Sequence, residues 1–85
     1  GDPAAVAIVQ RIFAEFCHPY WHATLSEIAK GLNLDEIATK RGGRWHASTV
    51  RYILHNAAYM PAVIDEETYN RAQWRLQCLR SGPPQ

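Results

Sequence analysis

Apolar residues recur at helical spacing four times along the chain, and that pattern limits the fold more than any other feature. Val9, Ile12, Phe13 and Phe16 stand at i, i+3, i+4 and i+7, and Leu25, Ile28, Ala29 and Leu32 repeat the spacing. Val50, Ile53 and Leu54 form a third stripe, and Tyr69, Ala72, Leu76 and Leu79 a fourth. Each stripe occupies one face of a helix with 3.6 residues per turn. Helices this short hold only when their apolar faces are buried against one another. The pattern therefore predicts a small, mostly α-helical domain.

Capping and breaking residues place the boundaries. Asp2 followed by Pro3 is an N-cap with proline at the first helical position, so the first helix is expected from about Pro3 to about Cys17. Residues 18–23, HPYWHA, interrupt it through Pro19; Tyr20 and Trp21 are expected there as lids on the core. Thr24 with Glu27 forms a capping box for a second helix, which Asn33 is expected to end. Residues 34–46 lose helical period, and Gly42 and Gly43 permit a tight turn, which predicts an extended loop or a short β-hairpin. A third helix follows from about Ala47 to about Asn56. AAYMPAVI is then expected to run extended around Pro61, and Asp65 to cap the last helix. The domain is taken as residues 1–80, with SGPPQ, residues 81–85, as a tail or linker.

At 85 residues the chain has room for one domain and not for an elaborate active site as well. No apolar run is long enough for a transmembrane span, and Asp2 and Pro3 do not suit a signal peptide, so the chain reads as cytoplasmic. Cys17 and Cys78 suggest no disulfide framework and are expected as reduced, buried thiols. A zinc set of Cys17, His18, His22 and Cys78 lacks any CxxC spacing, and the four histidines have no positioned catalytic partner. No metal, cofactor or catalytic residue is expected.

The distribution of charge says more than its sum. Net charge is only +1, yet no acidic residue occurs between Glu36 and Asp65, a stretch holding Lys40, Arg41, Arg44 and Arg51. Such clustering is the electrostatic footprint of a phosphate-binding face. The third helix adds a polar face of Ser48, Thr49, Arg51, Tyr52 and His55. A helix fits the B-DNA major groove, where short polar side chains and arginine reach base edges while flanking cations hold phosphates. Two short helices with such a face suggest helix-turn-helix recognition, although the spacer of about thirteen residues is longer than a simple turn. Arg71, Arg75 and Arg80 on the last helix are expected as a solvated face.

Four ordered blocks carry a more specific signal: IVQRIFAEF, TLSEIAKGLN, TKRGGRWHASTVRYILHNAAY and VIDEETYNRAQWRL. Together they resemble the recombinase domain of large serine recombinases, the phage integrase and transposon recombinase type. The resemblance implies a DNA-binding domain that follows a separate catalytic domain and reads one half of a recombination site. It places Lys40, Arg41, Gly42, Gly43 and Arg44 in a loop that approaches duplex DNA. Ser48, Thr49, Arg51, Tyr52 and His55 fall on the helix that reads it. The catalytic serine would lie in the other domain, so this chain alone is expected to cleave nothing. The parent protein would be bacterial or phage-encoded and would assemble as a dimer or tetramer through that domain.

The chain also departs from the family pattern. Glu36 stands where a glycine is common, Ala38 and Lys40 replace prolines, and His46 takes a helix-capping place usually held by serine or threonine. Met60 leads almost directly into AVIDEETY, where the family carries a long variable stretch. The alternative reading is a helical protein-interaction module that keeps this scaffold and no longer binds DNA.

Overall fold

The computed structural model describes residues 2–81, with nothing said of the Ser81 side chain; the expected tail falls almost wholly outside them. It contains four helices, α1 (Pro3–Phe16), α2 (Leu25–Leu34), α3 (Ala47–His55) and α4 (Glu66–Ser81), with a short 3-10 turn at Ala57–Tyr59. No strand occurs among the described residues, so the 34–46 segment is the extended loop and not the hairpin.

The ends form as their residues dictate. Asp2 Oδ1 accepts from Ala4 N at 3.1 Å and starts α1. At α2 the capping box is complete: Glu27 N donates to Thr24 Oγ1 at 3.1 Å, and Thr24 N to Glu27 Oε1 at 2.8 Å. Those bonds hold the Glu27 carboxyl below its ordinary pKa. Asn33 does not end α2. The helix continues to Leu34 and closes in a Schellman motif, with Glu36 N donating to Asn33 O and Ile37 N to Leu32 O, both at 3.0 Å. The motif needs a left-handed residue at its centre, and here that residue is Glu36, with φ 59°.

The four stripes meet in one core. Ile12, Phe13, Phe16, Ile28, Leu32, Val50, Leu54, Ala72 and Leu76 are completely buried, and burying each larger side chain contributes about 1.5–3 kcal/mol. Helix α1 packs on each of the other three, α2 and α3 form the closest pair, and α4 covers α1 and α3. Three stripe positions differ from expectation. Ile53 and Tyr69 are only partly buried, and Leu79 is 48% exposed.

Three further expectations are corrected. The 57–64 segment is folded back, not extended: Val63 N and Ile64 N both donate to Tyr59 O, which brings Ile64 into the core. Tyr20 and Trp21 are not lids. His18 Nδ1 accepts from both their backbone amides, at 3.2 and 2.9 Å, and this turn projects the two rings outward, 81% and 82% exposed. Cys78 is exposed; Cys17, half-buried at the end of α1, has its thiol pKa pushed up by burial, against the lowering effect of Arg71 and Arg75.

Arg75 is the remaining correction, because it is not part of a solvated face. Its Nη1 donates to Phe16 O at 2.6 Å and Ala23 O at 2.9 Å, and its guanidinium lies 4.2 Å from the Phe16 ring centroid. It thereby satisfies a carbonyl at the end of α1 and ties α4 to the α1–α2 connection. Burial lowers its pKa, with Cys17 and Glu27 opposing. Arg71, by contrast, makes only an exposed pair with Glu67 at 2.9 Å.

Candidate nucleic-acid interface

The loop preceding α3 is a built turn. Thr39 closes it three times: Thr39 N donates to Gly43 O at 3.1 Å, Gly42 N to Thr39 O at 2.8 Å, and Gly43 N to Thr39 Oγ1 at 3.0 Å. Gly42 takes φ 83°, a conformation that side chains disfavour. Lys40, Arg41, Gly42, Gly43 and Arg44 are all exposed on this turn. None of its three cations forms an ion pair among the described residues. Asp35, the nearest acid on the α2 side after Glu36, is instead held by Arg11 at 2.7 Å.

Trp45 fixes where the turn meets the domain. Its ring is buried, and its Nε1 donates to Ile37 O at 2.9 Å, which ties the two ends of the loop together. Its backbone is clasped by Asn33: Trp45 N donates to Asn33 Oδ1 at 2.8 Å, and Asn33 Nδ2 donates to Trp45 O at 2.9 Å. The tryptophan is therefore a core residue that positions the turn.

His46 provides no side-chain cap for α3, in keeping with the poor capping ability of imidazole. The first turn still forms, with Thr49 N and Val50 N both donating to His46 O. Burying Val50 and Leu54 turns the opposite side outward, which exposes Ser48, Tyr52 and His55 at i, i+4 and i+7. Tyr52 is 72% exposed at the middle of this face, while Thr49 and Arg51 are half-buried on its flanks.

The far end of α3 is held by α4. Gln73 Nε2 donates to Leu54 O at 2.6 Å and Tyr69 Oη to His55 O at 3.0 Å, which satisfies two terminal carbonyls. Because Gln73 donates through its nitrogen, its Oε1 accepts, and His55 Nδ1 at 3.1 Å must carry the proton of that bond. His55 is thus tied to α4, with Nε2 as its remaining acceptor when neutral. Thr39, Asn33 and Gln73 are the positioning residues that sequence reasoning missed. Thr39 and Asn33 sit in turn-forming contexts that hinted at local bonding; nothing in the sequence pointed to Gln73.

No group of three or more His, Cys, Asp or Glu side chains arranged to hold a metal occurs among the described residues. No helix there is long and apolar enough to cross a membrane.

The result is a closed helical unit in which a basic turn feeds an exposed polar helix. Residues 3–60 match the family model for Recombinase; the chain belongs to this family, and the match is consistent with the recombinase domain of serine recombinases. Its function is accordingly related to recombination. The matched region runs from α1 through the 3-10 turn and leaves α4 outside it. Comparison with curated proteins and with solved structures gave no match.

Proposed function

We propose that residues 1–80 form a non-catalytic domain that binds duplex DNA and reads one half of a recombination site for a site-specific serine recombinase. The reading is carried by one observation: an acid-free turn with three cations that form no ion pair among the described residues leads directly into α3, whose exposed face is polar. In this reading Ser48, Thr49, Arg51, Tyr52 and His55 face the major groove, and Lys40, Arg41 and Arg44 hold phosphates or enter an adjacent groove. Gly42 and Gly43 let the backbone of the turn approach closely. Strand cleavage, and assembly into dimers or tetramers, would belong to a separate catalytic domain of the parent protein.

Exposed Tyr20, Trp21 and Trp74 favour a second reading, a protein-interaction module on the same scaffold. Fluorescence anisotropy with a labelled duplex over a salt series separates the two. DNA binding through several phosphates gives an affinity that falls steeply with salt, and changing Arg41, Arg44 and Arg51 to Ala weakens it. No duplex binding at low salt would reject the DNA reading for this domain.

A further inference from the structure

A groove between α2 and α3 contains a cation that the interface above does not use. It has a volume of about 430 Å³, and its lining includes Ser26, Lys30, Asn33, Arg44 and His46. Lys30 comes from α2, Arg44 from the basic turn, and His46 from the start of α3, so three separate segments converge on one space. No carboxylate lines it. Of the acids on α2 and just after it, Glu27 is engaged in the capping box and Asp35 with Arg11, and Glu36 does not line the groove. Lys30 and Arg44 form no ion pair among the described residues. Asn33 is committed to Trp45 and serves as a fixed wall.

We propose that this groove seats one backbone phosphate of duplex DNA, with Lys30 as its second cation. Two like charges converging without a counter-ion repel each other, and an entering anion removes that cost while gaining a charge-assisted hydrogen bond from each wall. The exposed Ser26 hydroxyl and the His46 ring line the same groove and add further hydrogen-bonding groups. A phosphodiester is small against the groove, which leaves room for bridging waters. The seat would fix α2 on the DNA backbone and so set the angle at which α3 enters the groove. This inference rests on the reading of α3 as the DNA-facing helix.

The test is anisotropy of a fluorescein-labelled duplex titrated with wild type, Lys30→Gln, Lys30→Arg, Arg51→Gln and Arg71→Gln over a salt series. Lys30→Gln is expected to weaken binding several-fold at low salt and to reduce the slope of log K against log salt by about 1. Lys30→Arg is expected to keep the wild-type slope, and Arg71→Gln, at a residue that does not line the groove and pairs with Glu67, to leave affinity and slope unchanged. Lys30 is exposed, so these changes leave folding intact. Wild-type behaviour of Lys30→Gln alongside weakened Arg51→Gln would overturn the seat and leave the DNA reading standing. No binding by wild type would overturn both.

Discussion

Asn33 and Trp45, twelve residues apart, exchange two hydrogen bonds, one amide side chain serving both backbone groups of the tryptophan. The clasp holds the basic turn against α2 while the indole fills the core below it. Asn33→Ala leaves two partly buried backbone groups without partners and is expected to cost about 1–3 kcal/mol. In a domain of this size that lowers Tm by about 4–8 °C for each kcal/mol, which a thermal melt by circular dichroism reads directly. A midpoint within a degree of wild type would mean that the clasp contributes nothing.

Glu36 lies in the left-handed region at the centre of the α2 Schellman motif, where a side chain costs about 1 kcal/mol and glycine none. Glu36→Gly is therefore expected to stabilise the domain in urea denaturation by less than that amount, because glycine's greater freedom in the unfolded chain offsets part of the gain. It is the position where the family pattern already suggested glycine.

Arg75 and Arg71 lie one turn apart and are expected to behave differently. Arg75→Ala removes two hydrogen bonds to carbonyls and the stacking on Phe16, a loss of about 2–3 kcal/mol. Arg71→Ala breaks only an exposed pair and is expected to change stability by less than about 0.5 kcal/mol. Chemical denaturation of the two variants side by side checks the contrast; equal effects would contradict it.

The two thiols are expected to differ in reactivity, since Cys17 is half-buried and Cys78 exposed. Burial raises the Cys17 pKa, so its thiolate is disfavoured in the folded protein and reaction with a disulfide reagent should begin at higher pH than for exposed Cys78. The same shift has a stability consequence. Folding is unaffected by Cys17 below the ordinary thiol value of 9.0 and is weakened as pH rises through it, because only the unfolded chain ionises freely. Cys17→Ala should flatten that alkaline decline in denaturation midpoints.

Gln73 holds both the Leu54 carbonyl near the end of α3 and the His55 ring without carrying charge. Gln73→Ala is expected to weaken duplex binding several-fold while leaving the salt slope intact, since it disturbs the helix end and no phosphate contact. A changed slope would point to direct contact with the DNA backbone.

These relationships explain what the sequence could and could not disclose. The helices were legible because Asp2, Thr24 with Glu27, and the apolar spacing act within a few residues of one another. The basic turn and the outward face of α3 were legible for the same reason, since burying Val50 and Leu54 fixes which side of the helix remains exposed. What escaped were bonds between distant segments. Arg75 looked like one more surface cation because its partners, Phe16 and Ala23, lie more than fifty residues away. Tyr20 and Trp21 looked like core lids because they follow a buried helix, and the local bonding of His18 that turns them outward has no compositional signature.

Helix α4 stands outside the family match yet closes the ends of two helices inside it, α1 through Arg75 and α3 through Gln73 and Tyr69. The matched region and the unit of folding therefore differ. A fragment ending at residue 60 would keep the whole of the family match, but it would leave Phe13, Phe16 and Leu54 open to water on one side. Any transplant of this domain into another protein has to carry residues 61–81 with it.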